Sequence, residues 1–318
     1  MRILVTGAAG YIGSALVDAL SPKHDVLATD QAAMAFGSSR VEATVGNIAY
    51  PQFARALVTP DIDTVFHLAS LVSGGAEQNF ELGNKVNLDA TRDLLEACRL
   101  AGRCPKFVFA SSIAVYGAGL DEINDQTPAA PRLSYGAQKL VCEILIGDYT
   151  RRGYVDGRAL RLPAVLVRPG TANTAVSGWS SAIIREPLAG RDYVCPVRPD
   201  TRMACISLGC VTEAFSHAAG IPAEQLKASR TMLLTGISVS AQQMWDAVRA
   251  RAKGRVRFDP DPGLQKIMDA APKSTHSRRA EQLGFRHSRN IEEIVAEYES
   301  EKAEHEKNHS DTSFARHG

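Results

Sequence analysis

Tyr135 and Lys139 are spaced Y-x-x-x-K, which on a helix puts both side chains on one face. A free phenol titrates near pKa 10, so a tyrosine acting as a base at neutral pH needs a shift of roughly 3 units, about 4 kcal/mol. The Lys139 ammonium can supply much of that, while Ser112 can hydrogen-bond a substrate oxygen that gains or loses the proton. Alone, the spacing is common, and a buried tyrosine beside a surface lysine is the plainer alternative. It gains weight from "FVFASSIAVYG", a strand-like run that ends with Ser111 and Ser112 at the edge where open α/β sheets bind ligands.

A second constellation follows the first strand. Gly7, Gly10 and Gly13 form T-G-x-x-G-x-x-G directly between a first strand and a helix, the context that a dinucleotide fingerprint requires. Glycine there lets the backbone turn tightly and approach a pyrophosphate, whose charge faces the helix N-terminus. A purely structural Gly-rich turn is the alternative. Asp30 ends the second strand, where a carboxylate accepts hydrogen bonds from the adenosine ribose and repels a 2′-phosphate. No Arg or Lys follows until Arg40, so NAD is preferred over NADP, unless Asp30 merely starts a turn. Such a cofactor would also bring its positive nicotinamide ring beside the phenol.

The elements needed to position these groups are legible as a βαβ rhythm. Short apolar runs at 3–6, 26–29, 64–67, 107–110 and 159–162 alternate with helix-length segments. "RILVT" and "KFVFA" are continuously apolar, as strands covered on both faces are, which favours a parallel sheet. The expected fold is therefore α/β, a Rossmann-type doubly wound parallel sheet with a smaller C-terminal substrate-binding lobe. Residues 1–168 would form the NAD-binding domain, rejoined by a strand near 231–235, and 169–300 mainly the interleaved second lobe. The polar residues 301–318 read as a disordered tail.

Composition excludes little: 45% hydrophobic, 22% charged and a net charge of +1 over 318 residues are close to the usual soluble average. No partner nucleic acid or membrane is implied, and no apolar run approaches a membrane span. The apolar N-terminal stretch is interrupted by glycines and reads as strand, loop and helix instead of a signal sequence. Six cysteines without a C-x-x-C pair read as reduced thiols, and the scattered histidines offer no metal site. The cytoplasm is the expected location.

Taken together, "TGAAGYIG", "HLAS", "VNLDAT", "SSIAVYG" and "YGAQK" resemble the extended short-chain dehydrogenase/reductases, the NAD-dependent epimerase/dehydratase family. The resemblance spans roughly residues 1–300. It implies catalysis by Ser112, Tyr135 and Lys139, and NAD contacts from Gly7, Gly10, Tyr11, Ile12, Gly13, Asp30, Asn47, Ile48, Leu68, Ala69, Ser70, Asn87 and Pro163 as well as from Tyr135 and Lys139. It also implies substrate contacts from Ser73, Ser112 and Tyr135 and a homodimer, with helices over 91–100 and 136–150 able to pair subunits. "DYTRRGYVDGRALRLPAVLVRPG", "SAIIREPLAG" and "CPVRPDTR" are more similar to a branch that oxidises the C2 hydroxyl of a four-carbon sugar acid.

Departures from the wider family sharpen that reading. Nucleotide-sugar epimerases follow "LR" with an aromatic pair and an Asn, but this chain has Leu162, Pro163 and Ala164; dehydratases carry a Thr-Asp-Glu triplet that "SSIAV" lacks. Asn47 stands where relatives often have Asp. The competing readings are a nucleotide-sugar epimerase and a non-catalytic NAD-binding sensor. A small sugar-acid substrate would offer its carboxylate as the strongest anchor, for which Arg202 is the first candidate and Arg185 the second. Either arginine could instead pair with a neighbouring acid such as Asp200 or Glu186.

Overall fold

The computed structural model describes residues 1–170, 176–227 and 229–314, with side chains as far as Ala303. Residues 171–175 of the Gly/Ser/Thr/Asn-rich stretch and 315–318 of the tail lie outside the described residues. Two main sheets are built from β1 (Arg2–Thr6), β2 (Asp25–Asp30), β3 (Val41–Val45), β4 (Ile62–His67), β5 (Lys106–Ser112), β6 (Asp156–Leu162), β7 (Ala164–Leu166), β8 (Arg202–Ser207), β9 (Thr231–Leu233) and β10 (Ile237–Ser240). The larger runs β9-β6-β5-β4-β1-β2-β3, parallel throughout. This is the Rossmann-type doubly wound arrangement, and its strand order reverses between β1 and β4.

The longer helices are α1 (Tyr11–Leu20), α2 (Ala90–Ala101), α3 (Ser134–Arg151), α4 (Gly178–Leu188), α5 (Leu208–Gly220), α6 (Ala241–Arg249) and α7 (Ile291–Phe314). Leu16 and Val17 of α1 and Phe215 of α5 pack on one face of the large sheet; Leu94 and Leu95 of α2 and Cys142 and Ile146 of α3 pack on the other. Strands sandwiched this way are buried along their length, as β1 and β5 are. β3 is the exception: it closes the sheet's edge and leaves Glu42, Ala43 and Val45 exposed.

The smaller sheet, β10-β8-β7, packs with α4, α6 and α7 around Trp179, Ile183, Val239, Met244 and Val295. β7 already pairs with β8 at Ala164, so the chain enters the second layer ahead of the boundary expected at 168. Thr231–Leu233 then returns to the edge of the large sheet beside β6. α7 runs to Phe314. Ile291, Ile294, Val295 and Tyr298 anchor its first two turns in the core, and residues 299–307, rich in Glu, Lys and Ala, are mostly good helix formers. Once nucleated by packing, such a helix propagates at little cost.

Candidate active site

A cleft of about 810 Å³ opens at the carboxyl ends of the large sheet's strands, beside the reversal between β1 and β4. Gly10 caps α1 without any side-chain hydrogen bond, so the first-turn N–H groups stay free for an anion. The helix sits hard against the turn: a Cβ on Gly13 would lie 2.1 Å from the Gly7 carbonyl oxygen. Asp30 is held at the end of β2, its two carboxylate oxygens accepting from the N–H groups of Ala9 and Ala32 at 3.1 Å each. Arg40, the first cation after it, pairs with Asp25 at 3.5 Å. An uncapped helix end for a pyrophosphate and a carboxylate for ribose hydroxyls, with no cation set for a 2′-phosphate, fit NAD.

Tyr11, Ile12, Asn47, Ile48, Leu68, Ala69, Ser70 and Pro163 all line this cleft with the glycine loop, as do Ser73 and Ser112. Asn87 does not. Buried on the Asn84–Asp89 turn, it accepts from the Leu71 N–H at 2.7 Å and the Ser70 hydroxyl at 2.9 Å, and it donates to the Leu71 carbonyl. It shapes the cleft wall from behind.

Tyr135 and Lys139 lie on the first turns of α3, which packs against the turn following β5 and thereby sets the phenol opposite Ser112. Desolvation pushes the Tyr135 pKa up to about 12; hydrogen bonding with the Ser112 and Ser70 hydroxyls pulls it back only in part. The Lys139 ammonium is 1% exposed, donates to the Ala110 carbonyl at 2.8 Å and sits 5.5 Å from the centre of the Tyr135 ring. Burial lowers its pKa to about 8. The expected depression of the phenol is therefore absent in the chain by itself, because loss of water outweighs the hydrogen bonds. Behind the trio, Glu143 binds Arg161 at 2.6 Å and accepts from the Ser111 hydroxyl, and Arg161 donates to the Tyr116 hydroxyl at 2.9 Å. This buried network joins α3, β5 and β6.

The model of the NAD dependent epimerase/dehydratase family matches residues 3–201. The chain belongs to that family. It is 38% identical over 316 residues to D-erythronate dehydrogenase of Cupriavidus necator, covering 94% of this chain and 98% of the relative. The Haemophilus influenzae enzyme of the same name is 35% identical over 311 residues, covering 94% and 98%. A solved nucleoside-diphosphate-sugar epimerase from Agrobacterium tumefaciens superposes with a TM-score of 0.86 at 35% identity, covering 93% of this chain and 92% of that one. This member of the epimerase/dehydratase family is thus an NAD-dependent dehydrogenase.

Within this family member the two arginines expected at the substrate separate. Arg202 does not line the cleft; its guanidinium donates to the Ser238 hydroxyl at 3.0 Å and the Ser238 carbonyl at 2.8 Å on neighbouring β10. Nor does it pair with Asp200, which binds Arg198. Arg185 reaches the cleft from α4 but is held by Glu186 at 2.7 Å. Sequence reasoning passed over Ser70 as a neighbour of the phenol, and Arg168, which follows β7 and lines the cleft. The available signal for Arg168 was its place at a strand's carboxyl end, in "VRPG".

Proposed function

We propose that this enzyme oxidises the C2 hydroxyl of a small sugar acid, D-erythronate to 2-dehydro-D-erythronate, with Tyr135 as general base. The observation that carries the reading is the Tyr135 phenol facing Ser112 in the same cleft as the glycine loop. The names of the two 35–38% identical relatives support the substrate class. NAD, when bound, supplies the hydride acceptor at its nicotinamide ring. Ser112 orients the substrate hydroxyl, Tyr135 takes its proton, and hydride leaves C2 as the carbonyl forms. Ser73 at the cleft wall is positioned to meet a further hydroxyl. The presence of both Tyr135 and Lys139 in the cleft favours catalysis over a sensor role.

The epimerase reading draws on the name of the Agrobacterium structure, but Ala164 offers no side-chain amide to a nucleotide diphosphate. The proposal also takes the protein as cytoplasmic and as a homodimer, the pairing supported by exposed Leu100 on α2 and Val141 and Ile144 on α3. Spectrophotometric NADH formation with four- and five-carbon sugar acids tests the function directly. D-Erythronate should be the best substrate, and Tyr135→Phe should lower turnover roughly 10²- to 10⁴-fold while NAD affinity stays unchanged. Interconversion of UDP-sugars without NADH release would decide for the epimerase.

A further inference from the structure

Most cations of the cleft are committed or peripheral. Lys139 is bound to Ala110, Arg185 to Glu186, and Arg132 and Lys266 are exposed at the rim. Arg168 differs from all of these, since it lines the cleft, is partly buried, and makes no ion pair among the described residues. Its backbone is gripped on both sides from α4. The Arg168 N–H donates to Ser181 Oγ at 3.0 Å, and its carbonyl accepts from Arg185 at 2.6 Å, both partners being buried. Arg185 is itself locked by Glu186 at 2.7 Å. The helix therefore fixes where Arg168 stands while its guanidinium pairs with no acid among the described residues.

The surroundings are unfavourable for a bare cation. Desolvation, and the neighbouring positive charge of Arg185, hold the Arg168 pKa below its ordinary value. The Tyr11 hydroxyl of the glycine loop is buried and without a hydrogen-bond partner among the described residues, and it feels Arg168 as well as, more strongly, the Glu301 and Glu297 carboxylates. An unpartnered buried hydroxyl and a cation that makes no ion pair among the described residues, both at the cleft wall, are explained together by an anion that arrives with the reactants.

We propose that Arg168 is the oxyanion clamp of this cleft, its planar guanidinium gripping two oxygens of a phosphate or carboxylate group. Two groups of the reactants have that chemistry: the pyrophosphate of the dinucleotide, which would lie by Tyr11, and the carboxylate of the sugar acid, a source that rests on the function proposed above. Calorimetric titration of the whole enzyme and of Arg168→Met separates them. One arm titrates NAD. The other titrates D-erythronate into the NADH-loaded enzyme, with erythritol, which lacks the carboxylate, as control. A loss of tenfold or more confined to the first arm assigns the pyrophosphate; the same loss confined to D-erythronate, with erythritol unaffected, assigns the carboxylate. Arg168→Lys, which keeps the charge but not the fork, should fall between parent and Arg168→Met. Thermal unfolding is measured alongside, and Arg168→Met should melt no earlier than the parent, because a like-charge contact with Arg185 is relieved. Dissociation constants within twofold of the parent in both arms would overturn the clamp, as would unfolding of both variants. Should the parent neither bind nor oxidise any sugar acid, the proposed function falls while the NAD arm still decides Arg168.

Discussion

Tyr135 and Lys139 carry opposing electrostatic demands. Burial pushes the phenol up to about 12 and the ammonium down to about 8, so at neutral pH both are protonated, and within the chain hydrogen bonding with Ser112 and Ser70 is what favours the phenolate. With the proposed electrostatic support of the phenolate by the Lys139 ammonium, kcat/KM for oxidation is expected to rise from pH 6 toward pH 8, above which that charge is lost. Lys139→Met, which keeps the stem but not the charge, should move that limb to higher pH and cut the rate at pH 7 by roughly 10²-fold or more; superimposable profiles would contradict the assignment. His67 behaves differently. It is fully buried between Thr6 at 2.7 Å and Thr91 at 2.8 Å, and desolvation with help from Lys139 lowers its pKa to about 3. Below pH 6.5 the unfolded chain takes up a proton that the folded chain refuses, so stability present at neutral pH is lost as pH falls toward 3. The loss amounts to several kcal/mol, roughly 1.4 per pKa unit. His67→Gln should lower the urea midpoint at pH 7 but show a flatter decline between pH 6 and pH 4, and a parallel decline would refute this account. The Y-x-x-x-K pair was legible because helical period fixes which neighbours share a face. The direction of the phenol's shift was not, since it depends on Ser70 and on packing brought in from distant segments.

Elements decide how close these groups come. α3 approaches the turn after β5 so tightly that a Cβ on Gly136 would lie 2.0 Å from the Ala114 carbonyl oxygen and 3.1 Å from Pro131 Cβ. Backbone cannot yield there as a flexible side chain would. Gly136→Ala is expected to push the first turn of α3 outward and separate the Tyr135 phenol from Ser112. Turnover should drop by about 10²-fold, because small misplacement of a catalytic group is costly, while NAD binding at the distant glycine loop persists. A kcat near the parent's would show that the turn after β5 can retreat. The same scale explains why Arg202 was misplaced by sequence. Its position on β8 was readable, but side chains leave a strand alternately, and only the pairing of Arg202 with Ser240 settles that its guanidinium meets Ser238 while neighbouring Met203 lines the cleft. The large sheet's buried strands announced themselves by apolar runs. β3, with polar Glu42 and Thr44 on an exposed edge, did not.

Across the whole molecule the two sheets are one folding unit, since β6 runs into β7 with only Pro163 between them and β9 returns from the small lobe to the large sheet. α7 closes that unit. Its Ile291, Ile294, Val295 and Tyr298 are at most 8% exposed in the smaller lobe's core, Glu297 accepts from the Gly209 N–H at the start of α5, and Glu299 binds Arg251 at 2.7 Å beyond α6. Burying four such side chains contributes on the order of 6–10 kcal/mol, comparable with the whole net stability of a domain. A chain ending at Asn290 should therefore fail to fold as a unit and lose NAD binding, although every glycine-loop and catalytic residue remains in it. A chain ending at Ala303 keeps all of those contacts and should melt close to the full-length protein. In scanning calorimetry the full chain should unfold in one transition. Two separated transitions, or a chain ending at Asn290 that still binds NAD, would show that the large sheet stands alone and that α7 serves only the smaller lobe.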